Sequence, residues 1–368
     1  MAEIENILIV RLSAIGDVVH VLPCLHALHE AFPRARIGWL VEEMSASLLR
    51  GHPEIDELFI VPKKRWRKRP ILTALNGEKW TFYRRLRRGR WDVAIDFQGL
   101  TKSGWPAWLS GARMRIGFGD ADGRELNKIF TNVRVVPPPA AVHVVQRNMA
   151  LLEPLGVRTV EIAWRFPDLS DEGRALEPFL ATLAASGRPR HIAFYAGAGW
   201  ETKRWPAEHF AALARKLAER RAQGAIPPLP IILFWGPTEE GLCRSIVEKA
   251  DLPVSQFRLS PPTDLRRLAV LLREAAVVVG GDTGPVHLAA ALGVPVVGIY
   301  GGSDPVRNGP WGDGNVVVQA ESVPEAEAGQ CRTCWRTKCD RHPPLACLTS
   351  ITPDRVAQAV EDILRKRD

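Results

Sequence analysis

The chain of 368 residues lacks several features that would assign it to a particular class of protein. It has no apolar run of about 18 residues, the length that a membrane-spanning helix needs. It enters the apolar run 7–10 directly, without the basic region, apolar stretch and cleavage site of a secretory signal. Six cysteines in this length are too few for a disulfide scaffold. We therefore expect a cytoplasmic protein.

Two glycine-rich nucleotide-binding patterns are also missing. The first predicted strand-to-helix turn contains Gly16 alone, where a nicotinamide or flavin site would have G-x-G-x-x-G. No G-x-x-x-x-G-K-[ST] sequence occurs, which argues against a P-loop. A hydrophobic content of 46% nevertheless supports substantial cores, so the chain is not expected to be disordered.

Positive charge is concentrated in one stretch, residues 63–90, which we call the basic strip. It holds twelve Lys or Arg and a single acid, Glu78, so its charge is +11, whereas the rest of the chain sums to −3 of the total +8. This asymmetry predicts a localised anionic partner. Trp66, Trp80, Phe82 and Tyr83 interleave with the bases, a pattern typical of an anionic membrane surface. A solvated pair of basic helices is the alternative.

Apolar β-branched runs alternate with helical patterns along the chain, which predicts α/β architecture with parallel, doubly wound sheets. Proline-containing residues 165–190 show no strong strand and separate two such halves. We predict a first Rossmann-like domain over residues 1–170 and a linker over 171–190. A second Rossmann-like domain follows over 191–350, and an amphipathic C-terminal helix over 351–368. The simplest arrangement has the two domains facing each other across a cleft.

The loop around Asp282 combines an acid, Thr283, Gly284 and His287 between two predicted strands, 277–279 and 296–300. Thr283 can cap the following helix, and Gly284 lets a ligand approach closely. Ligands bind at the carboxyl edge of open parallel sheets, and a helix N-terminus there attracts phosphate. The pattern therefore predicts a phosphate-binding loop, with an ordinary strand-to-helix connection as the alternative.

Asp17 begins the first predicted helix of the chain. A carboxylate at this position is stabilised by the helix dipole, which could be its whole role. It could equally act as a general base at the edge of the sheet.

Four segments, in the correct order along the chain, resemble the ADP-heptose:lipopolysaccharide heptosyltransferases of glycosyltransferase family nine. The segment 10–23 (VRLSAIGDVVHVLP) is similar to the opening signature of that family, and 96–103 (DFQGLTKS) to a second family segment. Lys203 with the Trp-Pro that follows resembles the donor-phosphate lysine, and 282–287 (DTGPVH) the donor loop.

The resemblance implies a GT-B fold, inverting glycosyl transfer, ADP-heptose as donor and the lipid A–Kdo inner core of lipopolysaccharide as acceptor. It implies that Asp17 is the catalytic base and that Lys203 neutralises the departing diphosphate. The residues expected to bind the donor are Thr202, Asp282, Thr283, Gly284, His287 and Glu240, the last preferred over Glu239 as the ribose contact. Those expected to bind the acceptor are Ser13, Gln98 and Lys102 in the family segments and Arg65 in the basic strip.

A lysine and a helix N-terminus can stabilise the leaving group without a metal. We therefore expect no required cofactor and no Asp-x-Asp site for Mg²⁺, although Mg²⁺ could assist. Cys331, Cys334, Cys339 and Cys347 lie close in sequence and could hold a structural zinc ion, form disulfides or be buried thiols.

Two alternatives remain at this stage. One is a GT-B enzyme that uses another nucleotide-sugar; the other is a nucleic-acid-binding protein that uses the basic strip. The second does not explain Asp17, Lys203 and the 282–287 loop. We expect a monomer that binds ADP-heptose, the lipid A–Kdo acceptor and the anionic inner leaflet, and no nucleic acid. Nothing in the sequence indicates which heptose of the core is added.

Overall fold

A computed structural model describes residues 3–68, 77–158, 161–183, 190–320 and 333–366. They form two compact units that divide between Asp168 and Leu169. Each unit contains one six-stranded parallel sheet. The prediction of two Rossmann-like, doubly wound domains is confirmed.

Unit 1 follows the element order that the apolar runs predict. Its strands are β1 (Asn6–Val10), β2 (Arg36–Glu42), β3 (Glu57–Val61), β4 (Val93–Asp96), β5 (Met114–Phe118) and β6 (Val133–Val135). Its described helices are α1 (Ile15–Val19), α2 (Leu22–Ala31), α3 (Glu43–Leu49), α4 (Lys63–Lys68), α5 (Glu78–Arg88), α6 (Thr101–Leu109), α7 (Asn127–Phe130) and α8 (Val144–Ala150). The strands lie in the order β3-β2-β1-β4-β5-β6.

Unit 2 repeats this plan. Its strands are β7 (His191–Tyr195), β8 (Ile231–Phe234), β9 (Phe257–Leu259), β10 (Ala275–Gly281), β11 (Val296–Tyr300) and β12 (Val316–Gln319). Its described helices are α9 (Ser170–Leu180), α10 (Ala207–Ala222), α11 (Glu240–Ala250), α12 (Leu265–Arg273), α13 (Gly284–Ala291), α14 (Pro305–Asn308), α15 (Ala346–Thr349) and α16 (Pro353–Arg365). The strands lie in the order β12-β11-β10-β7-β8-β9.

Both strand orders are the 3-2-1-4-5-6 order of dinucleotide-binding sheets, in which the direction of winding reverses between the first and fourth strands. The reversal lies between β1 and β4 in unit 1 and between β7 and β10 in unit 2. Helices leave these two strands toward opposite faces of the sheet, so a crevice opens at their carboxyl ends. The fold therefore places the loops after β1, β4, β7 and β10 where a ligand can bind.

Side chains on the two faces of the unit 1 sheet enter two different cores, which explains the continuous apolar sequence of β1. Ile7 and Ile9 pack with α2, whereas Leu8 and Val10 pack in a second cluster with Trp66, Tyr83 and Trp91. These three rings are at most 9% exposed. Two aromatics of the basic strip, Trp66 and Tyr83, are therefore core residues and not the interfacial side chains that the sequence suggested.

The segment 171–190, which we predicted as a linker, contains α9 instead. This helix belongs to unit 2 and packs against α12, where Arg266 Nη2 lies 3.2 Å from Glu172 Oε2. The prolines that suggested a linker are accommodated, because Pro178 lies within the last turn of α9. Residues 184–189 of the predicted linker lie outside the described residues.

Residues 111–136, whose glycines favour loops, contain the short strands β5 and β6, which complete one side of the unit 1 sheet. The C-terminal helix α16 is confirmed, and Val356, Val360, Ile363 and Leu364 are buried along one side of it. No helix within the described ranges is both long and apolar enough to cross a membrane.

Gly99 tests how tightly the loop after β4 is packed. Its φ is +68°, and a Cβ there would overlap the carbonyl oxygen of Asp122. Gly156 is the control, because its φ is +78° but nothing lies within 4 Å of a Cβ. Left-handed strain costs about 1–2 kcal/mol in both Ala variants, and the clash should add about 1–3 kcal/mol in Gly99→Ala alone. Equal losses of Tm in thermal unfolding would contradict this packing.

Candidate active site

Asp282 is the centre of a buried polar group at the carboxyl end of β10. Its carboxylate lies 2.6 Å from Lys203 Nζ through Oδ2 and 2.9 Å from His287 Nε2 through Oδ1. The side chains of Asp282 and His287 are each 4% exposed, whereas that of Lys203 is 18% exposed. The fold thus brings together three of the residues that the sequence singled out.

Two glycines at the end of β10 allow this approach. A Cβ at Gly281 would overlap the carbonyl oxygen of Lys203, and one at Gly280 would lie 2.9 Å from the carbonyl oxygen of Tyr195. The short 3₁₀ turn Glu201–Lys203, which follows β7, can therefore pack directly against β10. The glycines that end the apolar run set the position of Lys203 in this way.

The charge of Asp282 is fixed by its two partners. Burial raises the pKa of its carboxyl group, but the hydrogen bond from His287 and the charge of Lys203 outweigh burial and hold the pKa well below its ordinary value. Asp282 is ionised at neutral pH, so His287 Nε2 donates to it. The Lys203 ammonium also lies over the Trp200 ring, 4.6 Å from its centroid. An ammonium has three donors, so Lys203 can still bind an anionic ligand.

Helix α13 begins immediately after Asp282. Thr283 is its N-cap residue in extended conformation, yet its hydroxyl does not cap the helix and instead lies 3.3 Å from the Gly281 carbonyl oxygen. Pro285 occupies the first turn and has no N–H, and the amides of Val286 and His287 bond to the Thr283 carbonyl. The N-terminus of α13, with the positive end of its dipole, therefore begins two residues after the carboxylate that pairs with the Lys203 ammonium.

Thr202 and Glu240 lie differently from their expected roles. The Thr202 hydroxyl donates to the backbone carbonyl of Arg336, so it holds the segment after residue 333 against the turn. Glu240 is on the first turn of α11, 42% exposed, and pairs with Arg244 at 2.6 Å. The contacts of the Thr202 hydroxyl and the Glu240 carboxylate do not by themselves indicate a nucleotide site.

Glu239, the alternative ribose contact, is the better placed acid. Its Oε2 accepts from Tyr195 Oη at 3.0 Å and from the Gly236 amide at 2.9 Å. A Cβ at Gly197, in the loop after β7, would overlap the carboxyl group. Glu239 therefore lies at the carboxyl edge of β7 and β8, and Glu239 replaces Glu240 as the ribose contact that we propose below. The ribose contact stays a prediction.

Asp17 lies in the loop after β1, in unit 1. Its Oδ1 is 2.7 Å from Arg11 Nη2, and its Oδ2 accepts from the Ala14 amide at 2.9 Å. Arg11 is itself held by the carbonyl of Phe97, which follows β4. The Ala14 bond is a helix-start contact, as the simpler interpretation predicts. The carboxylate is nevertheless 33% exposed and oriented by a fixed cation, so it can also meet a substrate.

Two lysines and Ser13 form a second group at the same edge of the unit 1 sheet. Lys102 Nζ donates to Ser13 Oγ at 3.0 Å and lies 3.4 Å from Glu42 Oε1. Lys63 Nζ donates to Glu42 Oε2 at 2.9 Å. The Glu42 side chain is 9% exposed and ends β2, so it holds both lysines at the loop that leads to Asp17. Sequence reasoning missed Glu42, although an acid directly after an apolar strand is a usable signal.

Gln98 belongs to this group and Arg65 does not. Gln98 Oε1 accepts from the Leu12 amide at 3.0 Å, which ties the loops after β1 and β4 together. Asp96 holds the backbone of Gln98 in place, because its buried carboxylate accepts a hydrogen bond from the Gln98 amide at 2.9 Å. Arg65 pairs with Glu78 on the surface, 61% exposed, so within the basic strip Lys63 takes the place that we expected for Arg65.

The cysteine cluster and the acidic pairs do not assemble a metal site among the described residues. No group of three or more His, Cys, Asp or Glu there could hold a metal ion. Cys334 and Cys339 are free thiols, Cys347 is buried, and Cys331 lies outside the described residues. One Asp-x-Asp sequence does exist, Asp120 to Asp122, contrary to expectation. Both of its carboxylates bind the Arg147 guanidinium.

Comparisons with known proteins point to one family. The profile of "Glycosyltransferase family 9 (heptosyltransferase)" matches residues 79–335. Lipopolysaccharide heptosyltransferase 1 of Pseudomonas aeruginosa is 29% identical over 374 residues, covering 98% of this chain and 98% of that protein. The solved structure of E. coli heptosyltransferase WaaC with ADP is 27% identical with a TM-score of 0.73, covering 97% of this chain and 99% of that chain.

A second WaaC structure, with ADP-2-deoxy-2-fluoro heptose, is 26% identical with a TM-score of 0.71, covering 99% of this chain and 100% of that chain. Together with the two Rossmann-like sheets, these likenesses show a GT-B fold. The family profile spans well over half of the chain and includes Lys203 and the Asp282 loop. The chain therefore belongs to glycosyltransferase family 9, the heptosyltransferase family, and is a glycosyltransferase.

Proposed function

We propose that this enzyme transfers a heptose from ADP-heptose to the lipid A–Kdo inner core of lipopolysaccharide, with inversion at the anomeric carbon. One observation carries the proposal: Lys203, Asp282 and His287 meet at the point of unit 2 where winding reverses, beside the N-terminus of α13. The two WaaC structures are complexes with ADP and with ADP-2-deoxy-2-fluoro heptose, and the Pseudomonas relative is lipopolysaccharide heptosyltransferase 1.

Unit 2 supplies the donor half of the site. The diphosphate is an anion, so the Lys203 ammonium, the Gly284 amide and the α13 dipole favour it. Asp282 holds Lys203 in place through a buried ion pair, and His287 holds Asp282. Thr283 offers a hydroxyl next to the phosphates, and Glu239 reaches the ribose hydroxyls from the end of β8. Thr202 keeps the Lys203 turn in position through Arg336.

Unit 1 supplies the acceptor half. Kdo carries a carboxylate and lipid A carries phosphates, so both favour the lysines that Glu42 presents. Ser13 and Gln98 shape the loop in front of Asp17. The exposed part of the Asp17 carboxylate is then available to a hydroxyl of the acceptor.

The reaction is a single displacement. The acceptor oxygen attacks the anomeric carbon while the carbon–oxygen bond to the diphosphate breaks, and Asp17 takes the hydroxyl proton. ADP leaves with the electron pair, and Lys203 and the α13 N-terminus stabilise its growing negative charge. Inversion requires one base behind the attacking hydroxyl and no covalent glycosyl-enzyme intermediate. The residues described above satisfy this with no metal in any step.

We further propose that the enzyme is a cytoplasmic monomer that works peripherally on the inner face of the inner membrane, because its acceptor is a lipid. The basic strip, which begins with Lys63, suits an anionic leaflet. No nucleic-acid role is needed to explain the basic residues.

The direct test incubates purified enzyme with lipid A–Kdo and, in separate reactions, ADP-heptose, ADP-glucose or UDP-glucose, followed by mass spectrometry of the acceptor. We expect the mass of one heptose to be added, with ADP-heptose alone. Faster transfer from UDP-glucose than from ADP-heptose would support the alternative of a GT-B enzyme that uses another nucleotide-sugar. Absence of any transfer by folded enzyme would overturn the proposal.

The first mutational prediction concerns Lys203. Lys203→Met should lower kcat by roughly 10²–10³, the usual loss when one donor to a developing oxyanion is removed. It also leaves the buried Asp282 carboxylate with one partner fewer, so Tm should fall.

Lys203→Met/Asp282→Asn is the matched control for stability, because it removes both charges of the pair. It should recover much of the lost Tm without recovering kcat. If the double variant regained the rate as well, Lys203 would be a structural residue and no part of the donor site.

The second mutational prediction concerns Asp17. Asp17→Asn keeps an oxygen that can accept from the Ala14 amide but removes the base, so we expect kcat to fall by roughly 10²–10⁴. Calorimetric affinity for ADP should stay near native, since the donor half lies in unit 2. Asp264→Asn is the control, because Asp264 caps α12 by accepting from the Arg267 amide at 2.9 Å. Near-native turnover of Asp17→Asn would leave Asp17 as a helix-start acid only.

The third mutational prediction concerns Glu42 as a positioning residue. Glu42→Gln removes the charge that holds Lys63 and Lys102, so KM for lipid A–Kdo should rise by about tenfold while KM for ADP-heptose is unchanged. Glu57→Gln is the control. Like Glu42, Glu57 binds two basic side chains, here Arg36 and Arg85, but it lies at the opposite edge of the same sheet. Equal effects of the two variants on KM for the acceptor would contradict this role.

A further inference from the structure

We propose that α6 and α7 form the surface through which the enzyme enters an anionic lipid bilayer. The α6–α7 surface consists of Trp105, Trp108, Leu126 and Ile129. This inference rests on the proposed function, in which the acceptor is a lipid, and it names the part of the chain that contacts the acyl boundary. It also removes Trp66 and Tyr83 of the basic strip from the membrane contact, because both are buried, whereas Trp80 of that strip is 65% exposed.

The four side chains are large, apolar and open to solvent. Trp105 and Trp108 are 40% and 52% exposed, and Leu126 and Ile129 are 57% and 70% exposed. Unit 1 would ordinarily bury residues of this size in its two cores. Grouped exposure of large apolar residues marks an interaction site rather than a random surface.

Packing between the two helices brings together the two segments that carry these residues. The Leu126 amide donates to Thr101 Oγ1 at 3.1 Å, and Asn127 Nδ2 donates to the Leu100 carbonyl at 3.0 Å. A Cβ on Gly104 would lie 3.1 Å from the Phe130 ring, so α7 lies directly against α6. Trp105 and Trp108 are three residues apart, which puts them on neighbouring positions of one helix face.

Cations surround the apolar residues. Trp105 packs edge-on against Tyr83 of α5, with ring centroids 5.0 Å apart, and the outer face of α5 carries exposed Arg84, Arg87 and Arg88. None of these three arginines forms an ion pair with a residue in the described ranges. Arg87 reaches the end of α6, where a Cβ on Gly111 would lie 3.5 Å from its side chain. Apolar residues that include tryptophan, next to exposed arginines without an ion-pair partner in the described ranges, match the anionic boundary between headgroups and acyl chains.

The location of the α6–α7 surface fits an acceptor that stays in the membrane. Lys102, which donates to Ser13 beside Asp17, lies on α6 one turn before Trp105 and two turns before Trp108. At about 1.5 Å per residue, Trp108 is about 9 Å along the helix from Lys102. A bilayer that receives the indoles therefore presents its headgroups at the candidate acceptor site. The short distance between the indoles and the acceptor site gives no reason for a second copy of the chain to bind here. In such a dimer the arginines of the two copies would repel each other.

The test compares wild type with Trp108→Ser/Ile129→Ser in vesicle sedimentation. The control, Val254→Ser/Val306→Ser, removes two equally exposed apolar residues of unit 2, which are 68% and 63% exposed. Vesicles are phosphatidylcholine alone or with phosphatidylglycerol, at low and high salt. We expect wild type and control to bind the anionic vesicles, less tightly at high salt. The surface variant should bind about tenfold or more weakly at low salt, because its buried apolar area is lost.

Insertion has its own readout. Lipids brominated on the acyl chains should quench part of the tryptophan fluorescence of wild type, and Trp105→Phe/Trp108→Phe should lose that quenching while still binding ADP in calorimetry. Equal vesicle affinity of all variants, absence of quenching, or sedimentation velocity showing that the surface variant breaks a wild-type dimer would each overturn the proposal.

Turnover on a deacylated, water-soluble acceptor separates this inference from the proposed function. The surface variant should keep the wild-type rate on that acceptor and lose rate only on the acceptor in vesicles. Wild-type transfer to the soluble acceptor without vesicle binding would overturn the membrane surface alone. Vesicle binding with insertion but no transfer to either acceptor would support the surface and overturn the heptosyltransferase proposal.

Discussion

A buried carboxylate, Asp282, organises the donor half of this protein. Its two oxygens hold Lys203 and His287 at distances of 2.6 Å and 2.9 Å, and all three groups lie where burial makes an unpaired charge costly. The pair requires β7 and β10 to be neighbours, and glycines at the end of β10 to admit the Lys203 turn. A lysine held in this way needs little reorganisation when charge develops on a leaving diphosphate, which is the condition for electrostatic catalysis.

The same arrangement of acid and base recurs in unit 1 with different residues. Glu42 holds Lys63 and Lys102 at the ends of neighbouring strands, and Arg11 holds Asp17 in the loop after β1. In both units charged residues follow the two strands between which the winding of the sheet reverses: Asp17 and Lys102 follow β1 and β4, and Lys203 and Asp282 follow β7 and β10. Glu42 and Lys63 lie farther along the same edge, after β2 and β3. Duplicated topology therefore gives two candidate sites of similar design, which we propose for the donor and the acceptor.

The fold was largely predictable because parallel strands buried on both faces are continuous apolar runs. The β1 and β11 strands, for example, lie within one residue of the runs 7–10 and 296–300 that the sequence indicates. β5 and β6 were not predicted because they are short, each has an arginine among its apolar residues, and their pairing depends on distant strands. The α9 helix was missed because two prolines near it suggested a linker.

The candidate site was predictable only in part. Residues carried by a local pattern, such as Asp282 and His287, could be found from sequence. A choice between two similar neighbours could not be made from sequence. Glu239 and Glu240 differ in that Glu239 packs against Gly197 and Tyr195. Glu42 and the exposed α6–α7 surface depend on contacts between segments far apart in the chain. Trp66 and Tyr83 of the basic strip were predicted at a membrane surface, because composition does not indicate which rings enter the core.

We expect the nucleotide diphosphate to bind beside Lys203 at the N-terminus of α13. A crystal structure of the enzyme with ADP tests this most directly. Phosphate oxygens should lie within hydrogen-bond distance of Lys203 Nζ and of the Gly284 amide, with the ribose near Glu239. A nucleotide bound elsewhere in unit 2, or in unit 1, with Lys203 contacting only Asp282, would contradict it.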